Sequence, residues 1–235
     1  MMIGSIILKY ILISILISLI FGITVLTNNI TNKINRGKLI NPYSFQLGSL
    51  LIFIVIWFFN KSKIEIFEVS RLVNWDNIVL MLITIIPTSV IVYWKNTDRT
   101  EKLFRLVDFL DGASMEIPQR LLVQNMFVIL NVNTIIYGSM TLAIVLNSLI
   151  WVQFIIVQEF ICGRKVTKKI MPEVIASIWF SIWVGILYSI SGNIIVPMIA
   201  HGLERMVAHW LKVNLKEAII KCLKKARNIV KLKRI

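Results

Sequence analysis

At 235 residues, 57% of them hydrophobic, and with a mean hydropathy of +0.79, the chain is too apolar for an ordinary soluble domain. Its formal charge of +14 does not point to nucleic acid, because the basic residues sit in short segments between apolar blocks and in the tail. Composition and block length together predict an all-α, polytopic transmembrane helix bundle whose first partner is the lipid bilayer. The two cysteines, Cys162 and Cys222, both lie close to basic residues and offer no disulfide framework.

The first apolar block, Ile3 to Leu26, is interrupted only by Lys9. No small-residue cleavage site follows it, so it reads as a retained span rather than a signal peptide. The second block, Phe45 to Phe59, is short for a hydrocarbon core of about 30 Å. The third, Ile78 to Trp94, contains Pro87, which is expected to kink it and frees a carbonyl that neighbouring helices can satisfy. The fourth is predicted from Ala113 to Leu130 and the fifth from Ile135 to Ile161. The sixth runs from Val174 to Ile190, opened by Pro172-Glu173, and the seventh from Ile194 to Val213. That makes about seven spans.

Charge orients them. Segments 27–44, 95–112 and 162–171 are rich in Lys and Arg, the connections 131–133 and 191–193 carry no charge, and segment 60–76 is mixed, with Lys61, Lys63 and Arg71 against Glu65, Glu68 and Asp76. The positive-inside rule therefore predicts a multi-pass cell-membrane protein with its N-terminus outside and its C-terminus cytoplasmic. Residues 1–109 hold the N-terminal spans and 110–213 form a core. In the tail, 214–235, Leu215, Ala218, Ile219, Cys222, Ala226, Ile229 and Val230 recur at helical spacing among lysines and arginines. This predicts a basic amphipathic helix lying on anionic lipids.

Ionisable residues within the spans mark a site, because hydrocarbon penalises them heavily. On the fourth span Glu116 and Arg120 stand four apart and share a helix face, with Gln124 one turn further. They read either as a self-neutralising structural bridge or as a carboxylate held ready by its arginine. On the seventh, His201, Arg205 and His209 recur every four residues, with Glu204 beside them. A metal site is not expected. The two histidines are about 12 Å apart along a helix, too far for zinc–nitrogen bonds of ~2.1 Å to one ion. No cofactor motif is present.

The order of these features, Glu-x-x-x-Arg, then the helix around Trp151, then Pro197-Met198-Ile199-Ala200-His201, resembles the CPBP family of intramembrane proteases, also called CAAX protease or Abi proteins. The resemblance covers about residues 110–210. Its motifs are EExxxR, FxxxH and HxxxN, and it implies a bundle core around Glu116, Arg120, His201 and Arg205 with Glu116, Arg120 and His201 as catalytic candidates. The chain departs from the pattern where the chemistry is most demanding. Met115 stands for the first glutamate, Trp151 for the phenylalanine, Ile155 for the second-motif histidine and Arg205 for the asparagine. Methionine cannot take a proton and isoleucine cannot orient a water. The resemblance thus implies a degenerate, non-proteolytic member that binds a membrane protein or peptide, as bacteriocin self-immunity and surface-protein display factors do. The alternative is an active, divergent CAAX-type endopeptidase using Glu116 and His201.

Overall fold

The computed structural model describes residues 2–34, 44–60, 66, 74–94, 106–161, 170–208 and 210–211. The amphipathic tail, His209, both cysteines and most of the basic connecting segments lie outside the described residues. The described chain is mostly helical. Helix α1 spans Met2–Ile34, α2 Ser44–Phe59 and α3 Trp75–Trp94. A short α4, Leu106–Ser114, leads into a π-helical segment, Ile117–Gln124, and then α5, Asn125–Ile129. Strands β1 (Ile135–Tyr137) and β2 (Met140–Thr141) precede α6, Leu142–Ile161, and α7, Met171–Ser191. A last helix, α8, covers 195–208.

Two predicted spans are corrected. The fourth is not one continuous α-helix from Ala113. Pro118 lacks the N–H that would bond back to Ser114, so α4 stops and the chain restarts as a π turn with Pro118 in its first turn. The fifth does not begin at Ile135. Residues 135–141 fold into an antiparallel hairpin pairing Ile135 with Thr141 and Tyr137 with Met140. Its turn uses Gly138 at φ +52°, where a side chain would be strained.

Three polar details show how apolar helices satisfy stray backbone groups. Lys9, the one charge in the apolar block of α1, donates to the Leu130 carbonyl at 2.8 Å, just past the end of α5. A cation there also complements the helix dipole. Pro87 sits inside α3 and cannot bond to the carbonyl of Ile83. A neighbouring helix supplies the donor: Trp179 Nε1 of α7 lies 3.2 Å from that oxygen. At the start of α8, Asn193 Oδ1 accepts from the Ile195 N–H at 2.9 Å, and Pro197 occupies the first turn, where no donor is needed.

α3 packs chiefly on α7, α6 on α7, and α2 on the π segment and α1. The main core joins Ile13 and Ile17 of α1, Phe45 and Phe53 of α2, Leu122 and Phe127 of the broken helix, and Ile150 and Trp151 of α6. Outward faces are apolar too: Ile7, Leu8, Ile11, Leu12 and Leu19 on α1, Leu51 and Phe58 on α2, and Leu82 and Ile86 on α3 are all exposed. Ile3–Ile23 and Met171–Ser191 are long and apolar enough to cross a membrane. Ser44–Phe59, Trp75–Ile91 and Leu142–Val157 are shorter apolar helices.

Candidate functional site: a buried ion-paired network

The break between α4 and the π segment aims the polar residues. Glu116 caps the π segment, and Arg120 and Gln124 follow on its inner side, all buried among α7 and α8. Arg120 Nε donates to Glu116 Oε2 at 2.9 Å, Nη1 to Gln124 Oε1 at 3.2 Å, and Nη2 to Ser181 Oγ of α7 at 3.2 Å. Gln124 passes the chain of bonds on, donating through Nε2 to the Gly185 carbonyl and to Ser189 Oγ. The next residue, Asn125, donates through Nδ2 to the Tyr188 hydroxyl at 2.9 Å.

His201 completes the set from α8. Its Nδ1–H donates to Glu116 Oε1 at 2.5 Å, and its ring lies against Phe180 with centroids 4.4 Å apart. Glu116 and Arg120 are 0% exposed and His201 is 5% exposed. Both carboxylate oxygens therefore have a specific nitrogen partner, and three of the arginine's nitrogens are occupied. A buried pair of opposite charges, held by further hydrogen bonds, is the tolerated way to place ions in an apolar bundle.

Glycines permit this approach. A Cβ on Gly112 of α4 would fall 2.7 Å from the His201 carbonyl, and one on Gly202 only 2.4 Å from the Phe109 ring, so α4 and α8 cross in close contact. On α7, Ser181, Gly185 and Ser189 make a small-residue stripe facing Arg120 and Gln124. A Cβ at Gly185 would meet Ile144 at 2.7 Å and Arg120 Nη1 at 3.2 Å.

The structure thus brings Glu116, Arg120, Gln124 and His201 together. It does not bring Arg205 to them. The expectation that Arg205 lines the core is corrected: its Cγ lies over Gly112 and the residue is exposed, its charge carried outward on the long stem. Glu204 is buried. Met115 faces α2, where Gln46 Nε2 donates to its sulfur at 3.4 Å. Ile155 is half-buried, and Trp151 is buried against Phe45 of α2. Sequence reasoning missed Ser181, Gly185, Ser189 and Tyr188, although three of these form a small-residue pattern at four-residue spacing. It also missed Gln46, Ser49 and Asn147, polar residues buried in apolar helices.

In comparisons with protein-family models, curated proteins and solved structures, nothing matches the chain.

Proposed function

We propose that this chain is a multi-pass membrane protein on a scaffold like that of the CPBP intramembrane proteases, that it has lost proteolysis, and that it acts by binding a membrane protein or peptide, as immunity or surface-display factors do. The observation that carries the reading is the closed state of Glu116. Its two oxygens are taken by Arg120 and His201, it is fully buried, and the neighbouring position is a methionine. A general base must reach the water it activates within about 3 Å, and nothing at Met115 or Ile155 does so. The short contact between His201 and Glu116 favours one other reading, a divergent endopeptidase in which this dyad is the base.

The test is a cleavage assay on the full chain in lipid nanodiscs with prenylated and transmembrane peptides. The expected result is no cleavage by the wild type. Turnover that disappears in both Glu116→Ala and His201→Ala, at unchanged protein level, establishes the endopeptidase instead.

The orientation in the bilayer belongs to the same proposal. The apolar outward faces of α1, α2 and α3 suit lipid. Lys9 meets Leu130, and the Ile194 N–H meets the Ile66 carbonyl at 3.1 Å. These contacts set the N-terminal part of α1 beside the end of α5, and residue 66 beside the start of α8, as helices of alternating direction require; which of the two sides is external rests on the charge pattern alone. In a background of Cys162→Ser and Cys222→Ser, Asn133→Cys is expected to react with a membrane-impermeant thiol reagent in intact cells, and Lys233→Cys is not. The reverse pattern overturns the orientation.

A further inference from the structure

Helix α6 turns one polar side chain outward from the bundle. Among its described residues, Leu149, Gln153, Ile156 and Val157 are exposed, forming one stripe in which only Gln153 is polar. Gln153 lies about 16 Å along the axis from Leu142 at one end of α6 and about 12 Å from Ile161 at the other. In a bilayer that is the middle of the hydrocarbon, too deep for a glutamine side chain to reach water.

Across a groove of about 510 Å³ between α1 and α6, the Tyr10 hydroxyl donates to Gln153 Oε1 at 3.1 Å. That bond holds the amide but uses only one of its sites. The carbonyl keeps a second lone pair, and Nε2 has no acceptor among the described residues. Lipid tails offer neither donor nor acceptor, so an amide left facing them is disfavoured.

The surface around this amide suits close helix contact. Leu142, Leu146, Leu149, Gln153 and Ile156 are separated by four, three, four and three residues. That spacing keeps one seam turned toward a second helix through a shallow left-handed crossing. Leu149 and Ile156, on either side of Gln153, are 44% and 39% exposed. None of the residues lining the groove is charged, although the chain as a whole carries +14. Two like faces can therefore meet here without repulsion.

We propose that this face binds a second copy of the chain, giving a parallel two-fold dimer in the membrane with α6 against α6 and the two Gln153 amides bonded across the axis. The amide selects the occupant. It is donor and acceptor at once, so Nε2 of each copy donates to Oε1 of the other while Tyr10 keeps the remaining lone pair. A two-fold axis along the membrane normal sets both Gln153 side chains at one depth, as the reciprocal bond requires. An acyl chain would fill the groove and leave the amide unpaired. A single polar residue in an apolar seam also fixes register, because a slip along the helix parts the pair. The inference rests on the multi-pass membrane reading, not on the loss of proteolysis.

Energy transfer between dye-labelled copies tests it. The full chain with Lys233→Cys, in the Cys162→Ser and Cys222→Ser background, is labelled and reconstituted in phosphatidylcholine–phosphatidylglycerol vesicles, then diluted with lipid. Transfer above the level of random mixing is expected, falling on dilution as a dimer dissociates. Gln153→Leu is expected to weaken the dimer about tenfold, as the loss of two interhelical hydrogen bonds implies, and Gln153→Asn, which keeps the amide, to weaken it less. On oxidation, Ile156→Cys in the same background without the label site should give a disulfide-linked dimer, and Leu51→Cys, exposed on α2, should not. Random-mixing transfer in the wild type overturns the proposal and leaves the groove to lipid. Equal association of the wild type and Gln153→Leu overturns it too, as does cross-linking at Leu51→Cys but not at Ile156→Cys. Protein that fails to float with the vesicles after an alkaline wash overturns the membrane reading and the dimer together, whereas protein that floats as a monomer overturns the dimer alone.

Discussion

The two sides of the π segment solve the same problem in opposite ways. Toward α7 and α8 the residues are charged, and every major polar atom finds a partner within the protein: Glu116 with Arg120 and His201, Arg120 with Gln124 and Ser181. Toward α2 and α6 the residues are neutral, and Gln46, Ser49, Asn147 and Trp151 keep unpaired polar atoms. Full ionic charge in low dielectric demands compensation by a fixed partner, whereas an unpaired amide or hydroxyl costs less.

This contrast predicts a ranking of substitutions. The largest loss is expected for Arg120→Met, which strips Glu116 of its buried countercharge and leaves Gln124 and Ser181 with one partner fewer. Breaking a buried pair from one side typically costs about 3–5 kcal/mol. Thermal unfolding in nanodiscs should show a steep fall in midpoint, with reduced accumulation in membranes. A much smaller loss would mean that the pair is solvated.

The next effect tests the close approach that builds the charged side. Gly185→Ala places a methyl 2.7 Å from Ile144 Cγ2 and 3.2 Å from Arg120 and Gln124, and Gly112→Ala places one 2.7 Å from the His201 carbonyl. Overpacking of this kind costs about 1–3 kcal/mol. The two differ in what can yield: at Gly185 a side chain is the nearest obstacle, at Gly112 a backbone oxygen. Gly112→Ala should therefore be the more damaging, read as the lower unfolding midpoint of the two.

A smaller effect lies away from both sides. Trp179→Phe removes the donor to the carbonyl freed by Pro87, with an expected cost of about 1 kcal/mol. In a Pro87→Ala background the helix supplies its own N–H to Ile83, so the same tryptophan substitution should cost less. Equal costs in the two backgrounds would show that the indole stabilises by packing alone.

The legible parts of this molecule were those set by local pattern. The apolar blocks gave most helices nearly to their ends, and the spacing of Glu116, Arg120 and Gln124 gave the stripe that forms. Pro87 announced a carbonyl in need of a donor. What was not legible depended on competition or on distance along the chain. The apolar run from Ile135 hid a hairpin because the Gly138-Ser139 turn signal was outweighed by run length. Arg205 was grouped with His201 because they lie one turn apart. However, four residues rotate the face by about 40°, and a long cationic side chain moves its charge outward. Glu116 meeting His201 rested on family resemblance, since no local rule links residues on separate helices. Gln46, Ser49 and Asn147 carried a readable signal singly, as polar residues in apolar runs. Only the three-dimensional packing shows that all three are buried.

The central claim is that Glu116 and Arg120 are committed to each other as a structural pair. A double-mutant cycle on thermal stability in nanodiscs measures it, using Glu116→Gln, Arg120→Met and the two combined. Because either single change leaves an uncompensated buried group, the double variant is predicted to be less destabilised than the sum of the singles, by well over the few tenths of a kcal/mol seen for independent sites. A double variant whose loss equals that sum would contradict the account, since the two side chains would then be acting independently.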